Sequence, residues 1–193
     1  MYVRAAKNRD ELWLLDQIEA LGVDEAAFRS RDYVIAIDEE TNAKTGFGRI
    51  RLHKTDDEEY CELTSLGVLE EYRDGGVGAH IVERLVENAS DQGFETIYAF
   101  EVGEGYLEQF GFGPIDADEL PDALDDRFEE KRELVDGDAE PLRLEVEAFE
   151  MPAGKRDAFK QAGGEDDEPE VLETAEDFGI DPDTATYKYD TGR

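Results

Sequence analysis

The stretch between Glu62 and Gln92 constrains this chain more than any other: a β-prone run, a turn rich in glycine and a long amphipathic helix follow one another directly. After Leu66-Gly67-Val68, the residues Gly75, Gly76 and Gly78 supply a turn largely without Cβ atoms, so the backbone bends tightly and a ligand can come close to it. From residue 76 to 92, Val77, Ile81, Val82, Leu85, Val86 and Ala89 share one stripe, whereas Glu83, Arg84, Glu87 and Asn88 face water. Gly93 ends the helix. A helix opening on such a turn aims free N–H groups and its positive dipole end at one point, a site suited to a pyrophosphate. Two nucleotide folds are excluded: there is no Gly-Lys-Ser/Thr ending of a P-loop and no Gly-x-Gly-x-x-Gly.

The remaining pattern places this unit inside a mixed domain. Residues 2–6 read as a strand, and Asn8 with Glu11 reads as a capping box. The helix it starts carries Leu12, Leu15, Ile18 and Leu21 on one face and ends at Gly22. A second short helix is expected over 24–29, then strands over 33–37, 47–53 and 60–68 as a meander. Beyond the long helix, strands are expected at 96–101, 112–115 and 142–149. Helices are expected at 106–110 and 124–134. The body is expected to end near Met151-Pro152, giving a domain over 1–150 and an acidic extension over 151–193, partly disordered, with a charged linker at 163–170.

Charge narrows the partners. Asp and Glu number 52 against 20 Lys and Arg, a net charge of −32 spread over the body as well as the extension. Such a surface excludes partners held by phosphate neutralisation, so neither nucleic acid nor an anionic membrane is expected. A chain this acidic and this poor in Lys resembles proteins adapted to molar salt, where screening relieves self-repulsion. The lone Cys61 forbids an internal disulfide and packs in a strand, while His53 and His80 are expected at the surface, so no metal site is expected. With no long apolar run and a polar start at Lys7-Asn8-Arg9, the protein is expected to be cytoplasmic.

Arg73-Asp74-Gly75-Gly76-Val77-Gly78 resembles the Gln/Arg-x-x-Gly-x-Gly/Ala signature of the GNAT (GCN5-related N-acetyltransferase) superfamily. Tyr106-Leu107-Glu108-Gln109-Phe110-Gly111-Phe112 is similar to its second block. The resemblance spans roughly residues 1–115. It implies an α+β, three-layer α/β/α fold, with a mixed, mostly antiparallel sheet whose central strands splay to admit acetyl-CoA. By position it implies that the backbone of Asp74, Gly75, Gly76, Val77, Gly78 and Ala79, with Arg73, holds the pyrophosphate, and that Leu66, Gly67 and Val68 pair with the pantetheine arm as an added strand. Family members often carry a basic residue where this chain has Gly75, and Asp74 adds a negative charge there.

The same resemblance implies direct attack of an amine on the thioester, with a base and a proton donor. Glu62 occupies the position of the family's strand glutamate, and burial there is expected to raise its pKa toward the working range. The usual tyrosine of the second block falls at Leu107, which leaves Tyr106, one position away, as the candidate acid. The acceptor is expected to be a small-molecule or peptide amine, and a homodimer is compatible with the family. Asp118-Glu119-Leu120-Pro121 after Phe110-Gly111-Phe112 resembles the N-acetylglutamate-synthase-type branch, for which Arg29, Arg31, Arg49 and Arg51 would bind a dicarboxylate. The alternatives are a cationic acceptor, suited to an acidic cleft, and a module that binds acyl-CoA without turnover.

Overall fold

The computed structural model describes residues 1–103, 105–135 and 139–162. Seven strands form one sheet: β1 Tyr2–Ala5, β2 Tyr33–Ile37, β3 Lys44–Lys54, β4 Glu59–Val68, β5 Thr96–Glu101, β6 Gly113–Pro114 and β7 Glu140–Glu145. Their order is β1-β2-β3-β4-β5-β7-β6, and β4 with β5 is the parallel pair among antiparallel neighbours. The helices are α1 Glu11–Leu21, α2 Val77–Asp91, α3 Asp122–Leu134 and α4 Lys155–Ala162.

The sheet is a middle layer. On one face α2 sets Val77, Ile81, Val82, Leu85 and Val86 against Val34, Ile50, Cys61, Leu63, Ile97 and Leu144. On the other, α1 packs Leu14 and Ile18 on Tyr33, Ile35 and Phe47, and α3 packs Leu124 and Phe128 on Tyr98 and Phe100. This is the α/β/α arrangement implied by the sequence. Alternation along each strand feeds both layers, because successive side chains leave opposite faces of the sheet.

The two central strands splay for a local reason. β4 pairs with β5 only through Cys61, Glu62 and Leu63 against Ile97, Tyr98 and Ala99. Just beyond, Ser65 adopts φ +53, and the β3–β4 register slips between Phe47 and Arg49 as Ser65 and Leu66 bulge opposite Gly48. A bulge of this kind bends its strand. From there to Val68 the β4 edge that would face β5 has no strand partner among the described residues.

Several boundaries differ from the sequence reading. Residues 24–29 form no helix: Ala26 N–H donates to Asp24 Oδ1 at 2.9 Å, Ala27 takes φ +50, and the buried Arg49 guanidinium collects the carbonyls of Ala26 and Ala27. On α1 the buried positions are Leu14 and Ile18, whereas Leu12 is 77% exposed. Asn8 begins a 3-10 turn, and Asp10, not Asn8, accepts the Lys7 N–H. β7 stops at Glu145 in favour of a 3-10 turn over Val146–Ala148, and β6 shrinks to Gly113–Pro114 because proline donates no N–H. Past Met151-Pro152, α4 packs on α2 through Phe159, whose ring stacks on His80 at 3.7 Å. The linker at 163–170 and the rest of the extension lie outside the described residues.

Candidate active site

The unpaired end of β4 forms one wall of a cavity of about 370 Å³. Leu66, Gly67 and Val68 line it on that side, and the turn contributes Arg73, Asp74, Gly76, Val77 and Gly78. Of the residues read from the sequence as the anion cradle, Gly75 and Ala79 do not line the cavity, and Ala79 is buried in the core. The turn is shaped by left-handed residues, Asp74 at φ +64 and Gly76 at φ +77, which deliver the first turn of α2 to the cavity. The N–H groups of a helix's first turn have no partner inside the helix, so here they face the space a diphosphate would fill.

Two glycines allow neighbouring groups to pack directly against the turn. A Cβ at Gly76 would come within 2.6 Å of the Lys155 carbonyl, and one at Gly78 would collide with the Tyr106 hydroxyl. Tyr106 and Lys155 themselves line the cavity. Leu107, at the position expected for the family tyrosine, is instead buried in the main core, because its N–H is pinned by Glu101 Oε1 at 3.0 Å. The 3-10 turn that follows therefore presents Tyr106, not Leu107, to the cleft. Burial and the Glu101 carboxylate push the Tyr106 phenol up to about 12, so it keeps its proton at neutral pH.

Glu62 behaves otherwise than expected. It is fully buried on the α1/α3 side of the sheet and does not line the cavity. Burial alone would raise its pKa, but hydrogen bonds from His53 and Arg127 and the Arg127 charge outweigh burial and hold it below the ordinary carboxylate range. Arg127 Nε sits 3.1 Å from both Glu62 oxygens, and His53 Nε2 is 2.7 Å from Oε2. Arg127 also pairs with Asp24 and, at 3.1 Å, with Glu130. Asp24 is likewise held below its usual value, its burial cost offset chiefly by Arg127.

His53 was thus misplaced at the surface by sequence reasoning, and Arg127 was missed. A signal existed: Leu124, Arg127 and Phe128 recur at i, i+3 and i+4, so the arginine occupies the apolar stripe of α3. His80 is half-buried, its pKa lowered mainly by burial. Cys61 is an inert core thiol, pushed up to about 12 by burial. Among the described residues no group of His, Cys, Asp and Glu is placed to hold a metal ion, and no helix is long and apolar enough to cross a membrane.

Two further hollows are present, one beside the cleft and one apart from it. Between α1 and α3 a groove of about 760 Å³ is lined by Asp16, Glu19, Asp24, Glu25 and Glu130 against Lys131, and it meets the cleft at the shared Val23. The arginines proposed for a dicarboxylate lie elsewhere. Arg49 is fully buried on backbone carbonyls, and Arg29, Arg31 and Arg51 line a separate hollow of about 540 Å³. Arg51 is five residues along β3 from Gly46, which pairs with Val68 of the cleft, or ~17 Å at the usual strand rise.

Residues 4–112 match the Acetyltransferase (GNAT) family. An uncharacterized N-acetyltransferase of Chlorobaculum tepidum is 29% identical over 64 residues, 33% of this chain and 41% of that protein. The fold is similar to N-acetylglutamate synthase from Neisseria gonorrhoeae in complex with coenzyme A and N-acetyl-glutamate, with TM-score 0.61, 18% identity and coverage of 75% of this chain and 35% of that one. The chain therefore spans well under half the length of either. Rv2747 from Mycobacterium tuberculosis in complex with CoA gives TM-score 0.61 at 14% identity, covering 75% of this chain and 98% of that one. Arabidopsis thaliana Naa50 with a bisubstrate analogue gives 0.54 at 15%, covering 74% and 97%.

Proposed function

The chain belongs to the acetyltransferase (GNAT) family, and on that premise we propose that it moves an acetyl group from acetyl-CoA to a primary amine by direct attack. The observation that carries this reading is the partnerless edge of Leu66–Val68, opening onto a cavity floored by the first turn of α2. A strand edge supplies main-chain donors and acceptors for an amide-bearing pantetheine arm, and a helix N-terminus supplies N–H groups for a diphosphate. Gly76 and Gly78 support it by letting Lys155 and Tyr106, both lining the cavity, pack directly against the turn.

Acetyl-CoA supplies the activated acyl group; the rest of the work falls to this chain's residues. Tyr106, protonated and lining the cleft, donates a hydrogen bond toward the leaving sulfur. Glu62 accepts no proton while Arg127 and His53 occupy its oxygens; it positions α3 over the sheet. The acceptor's ammonium proton then leaves to solvent through the acid-lined groove.

That groove also selects the acceptor. Asp16, Glu19 and Glu25 on this wall, beyond Asp24 and Glu130 that are paired with Arg127, favour a cationic amine, such as a polyamine or a basic peptide. A second reading, an amino acid such as glutamate, is favoured by Glu119-Leu120-Pro121 after the Gly111-Phe112 block. Against it, Leu120 is buried beside Leu124 as ordinary core, and Arg29, Arg31 and Arg51 line a different hollow. Thiol release from acetyl-CoA in molar KCl, measured against polyamines, basic peptides, glutamate and other amino acids, tests both readings. Turnover with cationic amines supports the first and turnover with glutamate the second. CoA uptake without turnover on any amine reduces the protein to an acyl-CoA-binding module.

A further inference from the structure

α4 lies outside the residues matched to the family, yet it forms part of the cofactor cleft. Two contacts fasten it to α2. Phe159 stacks on His80 with centroids 3.7 Å apart, and Arg156 Nη2 reaches Glu83 Oε1 at 2.6 Å. Its first residue, Lys155, lines the cavity, and the Lys155 carbonyl approaches Gly76 so closely that only glycine fits there. The helix is thus clamped onto the glycine turn itself.

The charge of Lys155 is unusual for its surroundings. Lys44, Lys54 and Lys131 each face a carboxylate, whereas Lys155 has no ion pair among the described residues. In a chain of net charge −32, a lysine that lines the cavity of the glycine turn and has no carboxylate partner among the described residues marks a place kept for an anion from outside. The turn needs one: Gly75 brings no charge and Asp74 offsets Arg73, all within the same bend.

We infer that Lys155 is a pyrophosphate-binding residue, a cation delivered to the glycine turn by α4 in place of one within the turn. The inference rests on the acetyl-CoA reading above and extends it to a residue beyond the family-matched segment. The α4 clamp couples cofactor affinity to the chain after Met151: loosening the helix withdraws the charge.

Titration calorimetry in molar KCl with CoA and with dephospho-CoA, on the wild type and on Lys155→Met and Lys155→Arg, tests this. Dephospho-CoA keeps the pyrophosphate and lacks the 3′-phosphate. The expected result is a loss on the order of tenfold for both ligands in Lys155→Met, with most of it regained in Lys155→Arg. Equal binding by wild type and Lys155→Met overturns the inference and leaves the acetyl-CoA reading standing. A loss for CoA but not dephospho-CoA overturns it in favour of the 3′-phosphate. A wild type that binds neither ligand overturns the acetyl-CoA reading itself. Phe159→Ala, which unfastens α4 and leaves Lys155 in the chain, is expected to weaken both ligands as Lys155→Met does; unaltered affinity in that variant overturns the clamp.

Discussion

The Tyr106 hydroxyl occupies the space beside Gly78 that a Cβ would take, so even a methyl group there would overlap it. The family signature admits alanine at this position, but the neighbouring phenol removes that freedom here. Gly78→Ala is expected to swing the Tyr106 ring into the cleft, weakening CoA binding about tenfold, since overpacking of this kind costs roughly 1–3 kcal/mol. The double variant Gly78→Ala/Tyr106→Phe, which lacks the hydroxyl, is expected to bind CoA nearly as tightly as the wild type. Equal affinities for the single and double variants would show that the two residues are not coupled.

Tyr106→Phe alone keeps the ring packed on Phe110, whose centroid lies 5.4 Å away, and removes only the donor. The expected outcome is a fall in kcat on the order of a hundredfold with little change in CoA affinity. Because burial and Glu101 push the phenol up to about 12, the wild-type pH–rate profile is expected to show no tyrosine-dependent descending limb below about pH 10. A limb in that range that vanishes in Tyr106→Phe would contradict the assignment of a permanently protonated donor.

Arg127 bridges carboxylates that are otherwise sealed from water: Glu62 is wholly buried and Asp24 is 8% exposed. Arg127→Met leaves both without their main partner. Removing one member of a buried ion pair typically costs about 3–5 kcal/mol. Urea melts in molar KCl are expected to show that loss, while Arg132→Ala, whose partner Glu129 is largely exposed, changes stability by less than about 0.5 kcal/mol. A neutral Arg127→Met would mean that solvent already reaches the cluster.

The sheet, the α2 unit and the glycine turn were legible because each is local: period-2 and period-3.6 patterns and a turn without side chains announce themselves within a few residues. The placement of Tyr106 was only partly legible: its position singled it out, but its presentation to the cleft depends on Glu101, at the end of β5, accepting the Leu107 N–H. The pKa of Glu62 was misjudged for the same reason. Burial was readable from the strand pattern, but its effect is outweighed by hydrogen bonds from His53 on the adjacent strand and from Arg127, 65 residues away in sequence. Lys155 carried no signal, because what distinguishes it is a carboxylate that is not beside it. The absence of a helix at 24–29 goes with Ala27, whose φ of +50 lies outside the right-handed helical region, while the buried Arg49 guanidinium fixes the Ala26 and Ala27 carbonyls in that irregular turn.

The charged cluster also sets the acid limit of stability. Asp24, Glu62 and Asp10 all have pKa values lowered in the folded state, through Arg127, His53, Arg4 and Lys44. A lowered folded pKa contributes stability that is fully present above the unfolded value, about 4, and is lost as pH falls through the folded one. Stability in molar KCl is therefore expected to be flat in these groups' contribution from pH 7 to about 5 and to fall below about pH 4. In Arg127→Met the fall is expected to be shallower, since Glu62 and Asp24 then bind protons more readily in the folded protein. A parallel pair of curves would place the acid sensitivity elsewhere.

Salt supplies the last test, because the net charge of −32 is spread over the folded body as well as the acidic extension. Between exposed carboxylates repulsion acts over ~10 Å at 0.1 M salt and only ~3 Å at 1 M. Self-repulsion destabilises a compact state, so the melting temperature is expected to climb steadily with KCl, and near-UV circular dichroism to collapse below a few hundred millimolar. Equal osmolality of sucrose separates the two sources of stabilisation, since it promotes burial without screening charge. If sucrose restores the low-salt fold as well as KCl does, the deficit lies in packing. If only salt restores it, the acidic surface is the cause, and groups paired inside the protein, such as Arg127 with Glu62, keep their contribution because buried pairs are screened far less.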